Sequence, residues 1–235
     1  MTHPPAPSRA PLAIIGVGCA AILLTMLLHP TGGEAIADRD AGHAAVLLRA
    51  RAVHALAIAA LPLLLSGMGL LSWRLRARSV TAAFAFAAWG LATGAILAAA
   101  VASGFISPAL IEALPSPTSA AAADIARRAA LQQQLHYTFT WNQGFSTVYV
   151  GLAALAFTAW GLAMRGAPGF PRALAMAAPV VGLLPPLLLA VGHLRLDVGG
   201  FGLVVLLHSA WMLWAAWCLS RDAGQAPPPR AATPS

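Results

Sequence analysis

Residues 53–78 read VHALAIAALPLLLSGMGLLSWRLRAR, an apolar run over 53–73 that stops at Arg74, Arg76 and Arg78. An uncharged apolar stretch of about 20 residues is long enough to cross the hydrocarbon core of a bilayer as an α-helix. An indole followed by arginines marks the cytoplasmic end of such a helix. Five more runs of this kind lie at 11–28, 80–103, 137–164, 173–192 and 201–219. The whole chain agrees with this reading, because 59% of its 235 residues are hydrophobic and 9% are charged, too few to coat a soluble globule.

The fold expected is therefore all-α, a polytopic membrane helical bundle of six transmembrane helices. Six spans put both ends of the chain on one side. The N-terminal tail, the connections after the second and fourth runs and the C-terminal tail carry Arg9, Arg74, Arg76, Arg78, Arg165, Arg172, Arg221 and Arg230 against Asp222 alone. The opposite side carries Arg39, Arg49, Arg51, Arg127, Arg128 and Arg195, balanced by Glu34, Asp38, Asp40, Glu112, Asp124 and Asp197. The positive-inside bias makes both termini cytoplasmic. The net charge of +7 thus reports orientation in a bilayer, and no nucleic acid is expected as a partner. Trp73, Trp160 and Trp217 fall at inner ends and Trp141 near an outer end, where indoles form interfacial belts.

Three regions follow: a disordered cytoplasmic tail at 1–10, a six-helix transmembrane domain at 11–221, and a second disordered tail at 222–235. Both tails are rich in Pro and small residues with nothing to bury. Arg9, the first apolar run and Ala35-Ile36-Ala37 before Asp38 also have the pattern of a cleaved signal peptide. The run is long for that purpose, and six spans are preferred. Ser107-Pro108 signals a short helix start and the Pro115-Ser116-Pro117 cluster its end. The Ala-rich stretch beyond Ser119 and the residues after Asp40 favour helices that begin outside the membrane and run in without a break. Gly90 and Gly94 form a small-xxx-small pair that either brings two helices together or occurs by chance. Pro62, Pro179, Pro185 and Pro186 either open the backbone around a transport site or are tolerated kinks.

Six histidines, His29, His43, His54, His136, His193 and His208, fall at or near the outer face. Neutral imidazole ligates zinc, copper and haem iron, and His54, His136 and His208 are the three expected nearest one another, as ligands of a haem or a divalent metal or as separate interface residues. His208 lies inside the sixth run, where an ionisable group normally faces a cavity. It is expected to be neutral and to act as an acceptor or ligand, with Trp211 on the same helix face. On the fourth run His136, Thr140, Gln143 and Thr147 recur at helical spacing, a stripe that lines a vestibule or glues helices together. The loop His193-Leu194-Arg195-Leu196-Asp197 either pairs its own charges or floors an outward pocket. Cys19 and Cys218 form no CxxC pair, so neither a disulfide scaffold nor a thiolate zinc site is indicated. No phosphate-binding, hydrolase or dinucleotide fingerprint occurs, and no reaction is assigned.

In Asn142-Gln143-Gly144, in the inner turn Gly169-Phe170-Pro171-Arg172 and in the segment from His193 to Gly202, the chain resembles small six-span bacterial inner-membrane proteins of a family without a known reaction. The likeness covers the C-terminal half. It implies a multi-pass protein of the bacterial inner membrane and carries over no catalytic residue. The function expected is an integral membrane protein with an outward-facing, His-lined pocket formed by His54, His136, Thr140, Gln143, His193, His208 and Trp211, binding a small ligand or serving as an accessory subunit. Alternatives are a haem- or metal-binding redox protein and a proton-coupled small-molecule transporter. Its partner is the lipid bilayer, with a second membrane protein or a homo-oligomer left open.

The charge asymmetry gives a direct check. An alkaline phosphatase fused behind Arg221 should be inactive in cells, and one fused after Ser116 should be active. Activity of the first fusion would reverse the orientation.

Overall fold

The computed structural model describes residues 9–30, 41–76, 79–116 and 118–222. Most of both tails, the cleavage pattern before Asp38, the cap expected at Asp40 and the side chain of His43 lie outside the described residues. All regular structure among the described residues is helical: α1 (Ala10–Leu28), α2 (Ala41–Arg76), α3 (Val80–Val101), a π turn (Ala102–Ile106), α4 (Ser107–Glu112), α5 (Ala122–Met164), α6 (Arg172–Ala190) and α7 (Val198–Asp222). With α3 and α4 taken as one rod, six helices are long and apolar enough to cross a membrane. The outer surface is correspondingly apolar, with Leu27 and Val80 83% and 87% exposed, which suits lipid and not water.

Helix lengths follow from the punctuation. Ser79 caps α3 by accepting from the Thr81 N–H, and Gly166 and Gly169, both at positive φ, turn the chain between α5 and α6. Between Ala122 and Met164 nothing breaks the helix, and its 43 residues reach about 65 Å at 1.5 Å each. The 36 residues of α2 reach about 54 Å. Both exceed the roughly 30 Å of a bilayer core, as the Ala-rich sequence leads one to expect. Beyond that thickness the Arg51 guanidinium holds Glu112 at 2.6 Å, half exposed, a bond worth about 1 kcal/mol or less.

The short helix expected from Ser107-Pro108 is present as α4, ending before Pro115, but it starts without a break from α3. The rod continues through the π turn, where the Ser107 N–H reaches the Ala102 carbonyl five residues back. Pro108 has no N–H for the carbonyl of Gly104, and its ring crowds that carbonyl, so widening the turn by one residue removes the conflict. The prolines of α6 do not break it either, since α6 is continuous from Arg172 to Ala190.

The helices pack as a ring in the order α1, α2, α3, α5, α6, α7 and back to α1. Small residues set how closely neighbours approach. On α3 the buried residues are Ala82, Ala85, Ala88, Ala92, Ala95 and Ala99 together with Trp89 and Thr93, and α3 packs chiefly on α5. At Gly161 an added Cβ would lie 2.7 Å from the Ala175 carbonyl oxygen, and at Gly182 one would lie 3.0 Å from the Ala154 carbonyl oxygen, so α5 and α6 nearly touch backbone to backbone. Gly67 makes the same room for Ile15 between α2 and α1. Gly90 and Gly94 are different: a Cβ there meets nothing within 4 Å, so among the described residues this pair makes no close helix contact.

Trp73 and Trp217 lie on the surface under Arg76 and Arg221, whose guanidiniums sit over the indole rings. Trp160 does not belong to that belt. It is fully buried and donates its indole N–H to Ser72 Oγ at 2.8 Å.

The glycines differ in a measurable way. Gly90→Ala and Gly94→Ala should raise the melting temperature in detergent, since Ala is favoured over Gly in a helix by up to about 1 kcal/mol. Gly161→Ala should lower it, by an overpacking cost of about 1–3 kcal/mol. Equal shifts of one sign at all three positions would contradict this packing.

Candidate functional site

At the end of the bundle where α1 stops and α7 starts, the ring is hollow. The cavity has a volume of about 370 Å³ and is lined from α1, α2, α3, α5, α7 and the loop before α7. Its wall on α2 runs from His54 to Leu64, about 15 Å at 1.5 Å per residue. Most of that wall is apolar. Polar side chains lie at the mouth (His29, His54, Ser103, Asn142, Gln143 and Asp197) and around Trp89, Tyr149, Ser146 and His208 at the floor, with Thr25, Thr93 and Ser209 also on the wall.

The floor is the most constrained part. The Tyr149 hydroxyl and His208 Nδ1 are 2.9 Å apart and both residues are buried. The hydroxyl has no other acceptor, so it donates to Nδ1, and the neutral ring then carries its proton on Nε2. Phe157 stacks on the imidazole with centroids 4.5 Å apart and an interplanar angle of 23°. Trp89 packs against both Tyr149 and Phe157, at 6.3 and 5.9 Å. Two buried nitrogens of this floor, Trp89 Nε1 and His208 Nε2, have no hydrogen-bond partner in the protein. A buried N–H left without an acceptor costs about 1–3 kcal/mol. Both nitrogens belong to residues that line the cavity, and an unsatisfied buried donor beside a cavity calls for a partner that the protein does not supply.

At the mouth, His54 and His29 meet edge to face, with centroids 4.9 Å apart and Nε2 atoms 3.4 Å apart. His54 also contacts the Ala50 carbonyl through Nδ1 at 2.7 Å, and His29 the Pro30 carbonyl at 2.9 Å. Gly104, inside the π turn, makes room for the His54 ring: a Cβ there would collide with it. On the facing side the Gln143 amide donates to the Leu196 carbonyl at 3.2 Å and ties α5 to the loop. Asp197 does not pair with Arg195. Its Oδ1 accepts the Gly200 N–H at 2.9 Å and caps α7.

Of the residues expected from the sequence, His54, Gln143 and His208 line this one cavity. His136 and His193 are exposed and outside it, and among the described residues no group of three or more His, Cys, Asp or Glu gathers as a metal centre. The expected triad of His54, His136 and His208 is therefore not assembled. Thr140 and Thr147 also face outward. Each hydroxyl donates to a carbonyl four residues back, at 2.9 and 2.8 Å, so it needs no partner inside the bundle. The inward face of α5 is instead Phe139, Asn142, Gln143, Ser146 and Tyr149. Trp211 shares His208's side of α7 but lies beneath the floor, stacked on Trp160 and donating to the Leu174 carbonyl at 3.1 Å. The proline-bearing α6 contributes nothing to the lining.

His29, Trp89, Asn142, Ser146 and Tyr149 are the lining residues outside the expected set. For Asn142, Ser146 and Tyr149 a signal exists: they recur at spacings of four and three and form a second helical face beside the one chosen. An asparagine cannot hide its amide on its own helix as threonine hides a hydroxyl, and this favours the second face. Comparison of the chain with protein-family models, curated proteins and solved structures finds no match, so the site is read from its own chemistry.

Tyr149→Phe removes the only protein partner of His208 Nδ1. It should destabilise the protein by about 1–3 kcal/mol, measured as a drop in thermal midpoint in detergent. Thr140→Val and Thr147→Val should shift it by less than about 0.5 kcal/mol. Equal effects at all three positions would remove the floor's hydrogen bond from the account.

Proposed function

We propose that this chain is an integral membrane protein of the bacterial inner membrane that binds a small, elongated, largely apolar molecule bearing an oxygen acceptor, held in the cavity with that oxygen against Trp89 Nε1 and His208 Nε2. The observation that carries this reading is that two residues lining a cavity of about 370 Å³, Trp89 and His208, each hold a buried ring nitrogen with no partner in the protein; the volume is in the range of small-molecule sites. The apolar wall would hold the body of the ligand, and the two N–H groups would fix which end goes down. With the arginine-rich ends of the helices in the cytoplasm, the mouth opens outward, and both termini are cytoplasmic. The reading is one of binding, either as a receptor for the ligand or as an accessory subunit presenting it.

The test is to purify the full chain in detergent and examine it by native mass spectrometry and organic extraction. The wild-type protein should carry one small molecule per chain. Ala57→Phe and Ala100→Phe, which fill the wall, should release it. Trp89→Phe should weaken its rebinding by about tenfold, the loss of one hydrogen bond. Wild-type protein that yields only detergent and bulk lipid, or filled variants that retain the molecule, would sink the reading.

A further inference from the structure

We propose that His29 and His54 form a two-imidazole site for a late first-row transition-metal ion, such as Zn²⁺ or Co²⁺, at the mouth of the cavity. The inference is independent of the molecule proposed for the floor, and it uses a different set of residues from the expected His54, His136 and His208.

It starts from where the ring protons must be. A carbonyl oxygen only accepts, so the 2.7 Å contact from His54 Nδ1 to Ala50 and the 2.9 Å contact from His29 Nδ1 to Pro30 both place a proton on Nδ1. In a neutral imidazole the other nitrogen is then a bare lone pair. The two bare Nε2 atoms face one another at 3.4 Å, and two lone pairs at that distance repel unless a cation lies between them. Metal-bound histidines have this same pattern, with one nitrogen on the ion and the other donating to a backbone carbonyl that fixes the tautomer.

The distance selects the kind of ion. Two nitrogens bound at about 2.05 Å with a tetrahedral angle are about 3.3 Å apart. The observed separation fits that span without rearrangement. Calcium and magnesium prefer oxygen ligands and are disfavoured here.

The surroundings are compatible with a cation. Water can complete the coordination of an ion held by the two imidazoles. Arg51, three residues before His54, is held away on Glu112 at 2.6 Å. The His54 ring is wedged against Gly104 of the π turn, so one of the two ligands is prepositioned. With two protein ligands the ion keeps open positions, as exchangeable or reactive ions do and closed structural sites do not.

The experiment uses the full chain in detergent, stripped with a chelator and titrated with Co²⁺ followed by its visible absorption, with Zn²⁺ per chain counted by equilibrium dialysis. One ion per chain is expected at pH 7.5, with the weak, long-wavelength bands of nitrogen and oxygen ligation. His29→Gln and His54→Gln should each weaken binding at least tenfold, and the exposed His136→Gln and His193→Gln should leave it unchanged. Affinity should fall on acidification, because protons compete for the Nε2 lone pairs. His29 sits partly exposed at a helix end, so His29→Gln with wild-type thermal midpoint and elution volume keeps the test sound if His54→Gln does not fold. Absence of binding in the wild type, as for a pair that shares only a proton, would overturn the proposal. So would binding that survives His29→Gln, or that disappears with His136→Gln or His193→Gln.

Discussion

The hydrogen bond between Tyr149 and His208 joins two helices, α5 and α7, whose backbones stay apart across the ring. A ring of six helices leaves space along its axis, and that space has to be filled or lined. Below the bond it is filled, by Phe157, Trp160 and Trp211 in mutual contact at 4.9–6.1 Å. Above it the axis is open. The bond and the ring stacked on it mark the boundary between an aromatic plug and a cavity, and both the depth of the cavity and the chemistry of its floor depend on it.

Much of the fold is legible in the sequence because a bilayer simplifies the problem. Every backbone group must be satisfied inside its own segment, so apolar runs of sufficient length become helices with little competition from strands. The extensions of α2 and α5 are also legible, since Ala-rich sequence without proline has no reason to stop. What misleads is punctuation. Ser107-Pro108 does mark the start of α4, but a π turn absorbs the proline without a break, and only the neighbouring backbone decides whether the chain turns or runs on. Prolines in α6 likewise announce a break that the helix does not make.

The site is less legible, and the reason is rotational. A helix whose polar residues spread around its circumference offers several faces at equal spacing, and α5 carries His136, Thr140 and Thr147 on one side and Asn142, Ser146 and Tyr149 on another. Hydroxyls bonded to their own helix cost little against lipid, so a stripe of threonine is weak evidence of an interior. His208 lies inside an apolar run, where an imidazole has few places to go but a cavity, and His54 at the head of its run reaches the mouth of the same cavity. His29 is harder to see, because its partner is fixed by the packing of α1 on α2 and by Gly104 on a third helix, which no local spacing encodes.

The alanine face between α3 and α5 has one more consequence. Ala82, Ala85, Ala88, Ala92, Ala95 and Ala99 present nearly the same profile every turn, so sliding α3 along α5 by one pitch, about 5.4 Å, would set methyl against methyl much as before. Such a seam holds two rods close without saying where along their length they should stop. Trp89 supplies the stop. Its indole is lodged among Tyr149, Phe157 and Trp160 and has no equivalent one turn away, so it acts as a detent that indexes the two helices. The residue that fixes the axial setting of α3 thus also lines the cavity, and a slip of one pitch would reshape the cavity wall along with the seam.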